Sequence, residues 1–194
     1  MTTILSLLSN FFAQGIVVVY PGVLVFWLIL HTNIERWRKV GKRAYWISAA
    51  GWPLTAGPIL FFRSEIFSGR WFSLPAAGIL MFLLAIAFSM AAYKVMPART
   101  LVGLPELEPH KNSQPLLNTG IYSRTRNPIY FVHWLLVLSA AAMTGYAANW
   151  MLFALDSLAL PLVIRAEERE LRGRYGSQFT DYMRRVPRFF PKLT

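Results

Sequence analysis

Two short stretches gather most of the groups in this chain that could do chemistry. The first is GIYSRTRNPIY, residues 120–130, and the second is RAEER, residues 165–169. Each has an ordinary local reading. Asn127 is a good N-cap and Pro128 suits a first helical position, so RNPIY starts a helix. Tyr130 falls where interfacial aromatics collect, and Arg124 and Arg126 would meet lipid headgroups. Arg165 and Glu168, three apart, make an ion pair on a solvated helix worth about 0.3–0.5 kcal/mol. Together the groups do more. The free N–H groups of a helix start can bind a carboxylate. The pair Glu167 and Glu168 can accept from a diol or hold an ammonium, and the tyrosines can stack on an aromatic base or face a cation.

The elements that must position these groups are membrane helices. Of 194 residues, 55% are hydrophobic and 15% charged, against about 25% charged in ordinary soluble domains. The chain has no cysteine, which excludes a disulfide framework, a thiolate nucleophile and a Cys-ligated metal. A spanning helix needs about 20 mostly apolar residues. The apolar runs predict an all-α bundle of five spans, near 11–31, 45–62, 74–93, 129–146 and 149–164. A single domain is expected: three spans over 1–93, a cytosolic loop 94–128, a hairpin 129–164 and a cytosolic tail 165–194 whose charged helix is weakened by Gly173 and Gly176 and ended by Pro187 and Pro191. The start lacks a basic region and its apolar run is too long for a signal core, so no cleavable signal peptide is expected.

Charge placement sets the orientation. Eighteen of the twenty Lys and Arg residues fall in 32–44, 94–128 and the tail from Arg165. The positive-inside rule then puts the N-terminus outside and the C-terminus in the cytosol. The basic excess is accounted for by an anionic leaflet and calls for no nucleic acid. The hairpin brings Asn127 and Arg165 to one end, so RNPIY faces RAEER. A helix start, an acid pair and tyrosines suit S-adenosylmethionine, a zwitterionic amino acid joined to an adenosine and a sulfonium.

LLNTGIYSRTRNPIYFVHW and EERELRGRYGSQFTDYMRRVPRFFP resemble the C-terminal half of the isoprenylcysteine carboxyl methyltransferase and phospholipid methyltransferase superfamily of integral membrane enzymes. The resemblance lies in Gly120–Tyr122, Arg126–Tyr130, Glu167–Glu168, Tyr175–Gly176, Phe179 with Tyr182, and Val186–Arg188. It implies methyl transfer from S-adenosylmethionine to a lipid-like acceptor, at a site facing the cytosol of a bacterial inner membrane. Gly120, Tyr122, Asn127, Pro128, Glu167 and Glu168 would hold the cofactor. Arg126 or Arg165 would orient an anionic acceptor. Tyr130 and His133 share a face, and His133 would take a proton if the acceptor is an amine. An isoprenylcysteine carboxylate is the preferred acceptor and a phospholipid amine the alternative. Asn127 stands where many members carry His, which widens the choice to other lipid-like or small hydrophobic molecules. Phe179 stands where tyrosine is common. A non-catalytic lipid-binding protein and a nicotinamide-dependent reductase of the sterol-reductase type are the competing readings.

Four further expectations concern particular side chains. Asp156, inside the fifth span, either fixes helix packing or serves function, with His133 as its candidate partner. Pro161 is expected to kink the fifth span. His31 reads as interfacial, and the tryptophans as anchors and core.

Overall fold

A computed structural model describes residues 4–111 and 114–192. Residues 1–3 of the N-terminal lead, 112–113 of the long loop and 193–194 of the tail lie outside them. The described residues are helical, with no strand among them. The helices are α1 (Ile4–Thr32), α2 (Ile34–Val40), α3 (Arg43–Phe61), α4 (Arg63–Ile66), α5 (Pro75–Tyr93), α6 (Ala98–Leu101), α7 (Leu104–Leu107), α8 (Pro128–Thr144), α9 (Ala147–Tyr175) and α10 (Ser177–Arg185), with a 3₁₀ turn at Gly120–Ser123 before α8. Among the described residues, α1, α5 and α9 are long and apolar enough to cross a membrane. The apolar α8 has 17 residues, and α3 carries Pro53 and Pro58 within its 19.

The bundle is built around α8. It lies along α5 on one side and against α9 and α1 on the other, while α3 leans on α1. The main apolar cluster joins Val17, Tyr20 and Leu24 of α1 to Tyr130 and Val137 of α8 and to Leu160, Val163 and Ile164 of α9. The turn between α8 and α9 depends on Gly145. Its φ of +71° is left-handed, a conformation that glycine adopts without steric cost. A Cβ there would sit 2.9 Å from the Phe72 carbonyl oxygen.

The charged segment after the fifth span is helical, as expected, and Gly173 does not interrupt α9. It continues as one 29-residue helix to Tyr175, about 43 Å at 1.5 Å per residue. Gly176, with φ +56°, ends it, and α10 turns back. Phe179 and Tyr182 of α10 are buried against Leu116, Leu171 and Tyr175. The strand-like end then runs beside the start of α8. Arg126 N donates to Pro187 O at 3.0 Å, Thr125 Oγ1 to Phe189 O at 2.8 Å, and Lys192 N to Arg124 O at 3.0 Å. Pro187 therefore ends α10 and also docks the tail on RNPIY.

Candidate active site

A cavity of about 290 Å³ opens where α1, α8 and α9 meet the loop 94–128 and α10. This is near the lower end of the roughly 300–1,000 Å³ of ligand pockets. Its wall includes Tyr122, Arg126, Asn127, Pro128, Tyr130, His133, Glu167 and Glu168. The hairpin geometry thus brings together eight of the residues singled out in the sequence. Two others are elsewhere. Arg165 is exposed and does not line the cavity. Gly120 is exposed too. It has a left-handed φ of +57°, and a Cβ would meet Val95 Cγ1 at 3.0 Å. Its glycine identity answers to the turn before Tyr122.

Several expected roles change once partners are seen. The Arg126 side chain is nearly buried and its guanidinium is engaged within the chain. Its Nε and Nη2 donate to Glu168 Oε1 at 2.9 and 2.8 Å, and its Nη1 donates to the Met183 and Val186 carbonyls, both at 2.8 Å. Glu168 Oε2 is taken by Arg188, with Nε at 3.0 Å and Nη2 at 2.9 Å. The acid therefore pairs with Arg126 and Arg188, not with Arg165, and is not free for a ribose. Asn127 occupies the N-cap position of α8 without a side-chain cap bond. Its Nδ2 donates to Arg188 O at 2.8 Å. These three residues tie α8, α9 and the tail into one frame.

The groups left open are different ones. Among the described residues, Glu167 Oε2 and Glu106 Oε2 are buried without a hydrogen-bond partner, and so is His31 Nδ1. All three residues line the cavity. His31, in the last turn of α1, is buried within the bundle. Its ring stacks on Trp27 and its Nε2 lies 3.3 Å from the Tyr130 hydroxyl. Sequence reasoning missed Glu106 altogether. The available signal was an acid inside LPELEP, between prolines, in a loop returning to the bundle. Burial first, and then the Glu167 charge, push its carboxyl up to about 7, against the opposing pull of Arg174. Burial likewise raises the Tyr122 phenol, which therefore stays neutral. Tyr122 donates to Met96 Sδ at 3.2 Å, and its carbonyl accepts from Tyr182 Oη at 2.6 Å.

Asp156 takes the Tyr20 hydroxyl at 3.0 Å rather than His133. His133 packs edge-on against Tyr20 and Tyr130. Asp156 is fully buried and outside the cavity, so it joins α1 to α9 in the bundle interior.

The wall thus combines two carboxylates with open oxygens, several aromatic faces and an apolar side. Such a site suits a ligand with a cationic part and a flat ring. Comparison with known proteins points in a compatible direction. The nickel-cobalt-cadmium resistance protein NccN of Alcaligenes xylosoxydans xylosoxydans is 38% identical over 85 residues, 43% of this chain and 39% of that protein. The cobalt-zinc-cadmium resistance protein CzcN of Cupriavidus metallidurans matches to the same extent. Methanethiol S-methyltransferase 2 of Bradyrhizobium diazoefficiens is 38% identical over 74 residues, 38% of this chain and 27% of that protein. The chain thus spans about two-fifths or less of the length of these curated relatives. No solved structure matches it. The family model described as phospholipid methyltransferase matches residues 74–178, more than half of the chain and a stretch that holds Glu106, Glu167 and the whole start of α8. By that match the chain belongs to the phospholipid methyltransferase family.

Proposed function

We propose that the chain transfers a methyl group from S-adenosylmethionine to a lipid-like or small hydrophobic acceptor at the membrane surface. The observation that carries the reading is the pair of open carboxylate oxygens, on Glu106 and Glu167, in a cavity walled by Trp27, Tyr122 and Tyr175. Family membership supports a methyl donor, and S-adenosylmethionine is the donor whose charges and ring fit this wall. When bound, it supplies a methyl group activated on a sulfonium.

The chain's own part is positioning, which can account for a large share of a rate enhancement. Glu106 and Glu167 set a negative potential against the cationic centres of the donor. The aromatic faces take its adenine and offer cation–π contact. Arg126, through Glu168, holds α9 in register with the start of α8. The acceptor meets the apolar wall of Val23, Leu101, Leu116 and Leu117, and enters sideways from the bilayer while the donor comes from the cytosol. Five spans, with the N-terminus outside and the cavity at the cytosolic end, complete the reading.

The test is calorimetric binding of S-adenosylmethionine to detergent-purified protein. The wild type is expected to bind, and Glu167→Gln to bind at least about tenfold more weakly, a loss of about 1.4 kcal/mol. Absence of binding by folded wild type in the presence of lipid would overturn the reading in favour of a non-catalytic lipid-binding protein.

A further inference from the structure

A buried imidazole reaches the cavity from an element that the family match does not include. His31 lies in the last turn of α1, outside residues 74–178. Its ring stacks on Trp27, with centroids 5.3 Å apart and planes 15° from parallel. Its Nε2 is 3.3 Å from the Tyr130 hydroxyl and 3.7 Å from Glu167 Oε2. Its Nδ1 is buried and has no hydrogen-bond partner among the described residues. A hydrogen on Nε2, assigned from these neighbours, leaves the Nδ1 lone pair open. The Glu167 carboxylate then stabilises the imidazolium that forms when Nδ1 gains a proton. An imidazole with a carboxylate at ion-pair distance, 3.7 Å, has a counter-ion for its protonated form and is placed to act as a general base. His133, the other imidazole on the wall, has aromatic rings as its neighbours and no carboxylate at ion-pair distance among the described residues.

The charges around the cavity agree. Of the side chains on its wall, Arg126 is the one guanidinium, and it is engaged by Glu168 and two carbonyls. An anionic acceptor would therefore face Glu106 and Glu167 without a free counter-ion. The groups acting on His31 are Tyr130 from α8, Glu167, Glu170 and Arg174 from α9, and Glu106 across the cavity.

We infer that His31 accepts a proton from the methyl acceptor, so the acceptor is a thiol or an amine on an apolar body and not a carboxylate or a phosphate. The inference rests on the methyl-transfer reading above. In the step the S–H or N–H proton passes to His31 Nδ1 while the acceptor's electron pair forms the new bond to carbon. The donor's carbon–sulfur bond breaks and its electrons neutralise the sulfonium. Positive charge thus moves from sulfonium to imidazolium, and the proton leaves to the cytosol between turnovers.

The experiment measures transfer of labelled methyl to dodecanethiol, phosphatidylethanolamine and N-acetyl-S-farnesylcysteine by full-length wild type, His31→Gln and His31→Ala. S-adenosylhomocysteine binding is measured on the same preparations. The wild type is expected to methylate the thiol or the amine. His31→Gln should bind S-adenosylhomocysteine within about threefold of wild type while transferring roughly 10²–10⁴-fold more slowly. Added imidazole should restore part of the His31→Ala rate. The inference is overturned by transfer to the farnesylcysteine carboxylate alone, by transfer to none of the three, by a His31→Gln rate within about threefold of wild type, or by loss of S-adenosylhomocysteine binding in that variant. Failure of the wild type itself to bind S-adenosylhomocysteine is a separate result that removes the methyl-donor reading.

Discussion

Glu106 carries a buried carboxyl whose folded-state pKa lies well above its ordinary value, and this has a sign that can be tested. Its folded value is about 7, against 4.5 for the free group. Between those two values the folded chain holds the proton more tightly than the unfolded chain, so folding stability falls as pH rises. Below about 4.5 the carboxyl is neutral in both states and the effect vanishes. Above about 7 the full cost of the buried charge is present, about 3 kcal/mol at most. Glu106→Gln is therefore expected to gain stability over the wild type progressively from about pH 4.5 to pH 7, and to keep a constant advantage above it. Thermal unfolding of both proteins in detergent across that window checks the prediction; an advantage independent of pH would refute it.

At the scale of elements, the contact that holds the site's main helix is the approach of α5 to α8. Gly78 in α5 is buried there. A Cβ on it would lie 2.7 Å from Met143 N and 3.0 Å from Ser139 O. Small residues at helix contacts let backbones close in, and this packing is a main source of helix association in lipid. Two effects oppose each other in Gly78→Ala. Helix propensity favours alanine by about 0.5–1 kcal/mol, whereas overpacking against a fixed backbone costs about 1–3 kcal/mol. The backbone contact is expected to win, so Gly78→Ala should unfold at lower temperature or denaturant than wild type, and Gly78→Val lower still. A stabilised alanine variant would mean that α5 moves away from α8 at little cost. The tail is the second such element. Without the bonds from Arg126, Asn127 and Thr125 to the segment after α10, the start of α8 loses the backing that sets the cavity wall.

At the scale of the whole molecule, the helices divide the charged groups between two ends. At one end Arg38 of α2 donates to the Glu106 carbonyl at 3.1 Å and pairs with Glu170, and Arg174 reaches both Glu170 and Glu106. The segments 32–44, 94–111 and the tail thus converge. At the other end Arg70 donates to the Thr144 carbonyl at 2.9 Å and lies over the Tyr146 ring at 4.3 Å. The basic excess at the first end predicts that it faces the cytosol. The chain has no cysteine, so single cysteines report without background. In cells, Ser68→Cys should react with a membrane-impermeant thiol reagent while the membrane is intact. Ser177→Cys should react only after permeabilisation. The reverse pattern would invert the topology and place the cavity on the outer face.

What could be read from residues alone followed from periodicity and local chemistry. Apolar run lengths located α3, α5 and α8 to within about two residues at each end, because a helix that meets lipid must be apolar along its length; the run for α1 began seven residues late and that for α9 stopped eleven residues early. The Gly145 turn made α8 and α9 a hairpin, and the hairpin placed RNPIY beside RAEER. The tertiary structure decided the rest. Glu168 reads in sequence as one member of an acid pair. Only the return of the tail, twenty residues on, brings Arg188 to close its second oxygen. His31 read as interfacial and Glu106 went unread, because nothing in their neighbourhoods encodes which helix packs against which. Side chains from α1 and α7 meet Tyr130 and Glu167 through interhelical packing, and that pairing is a property of the assembled bundle.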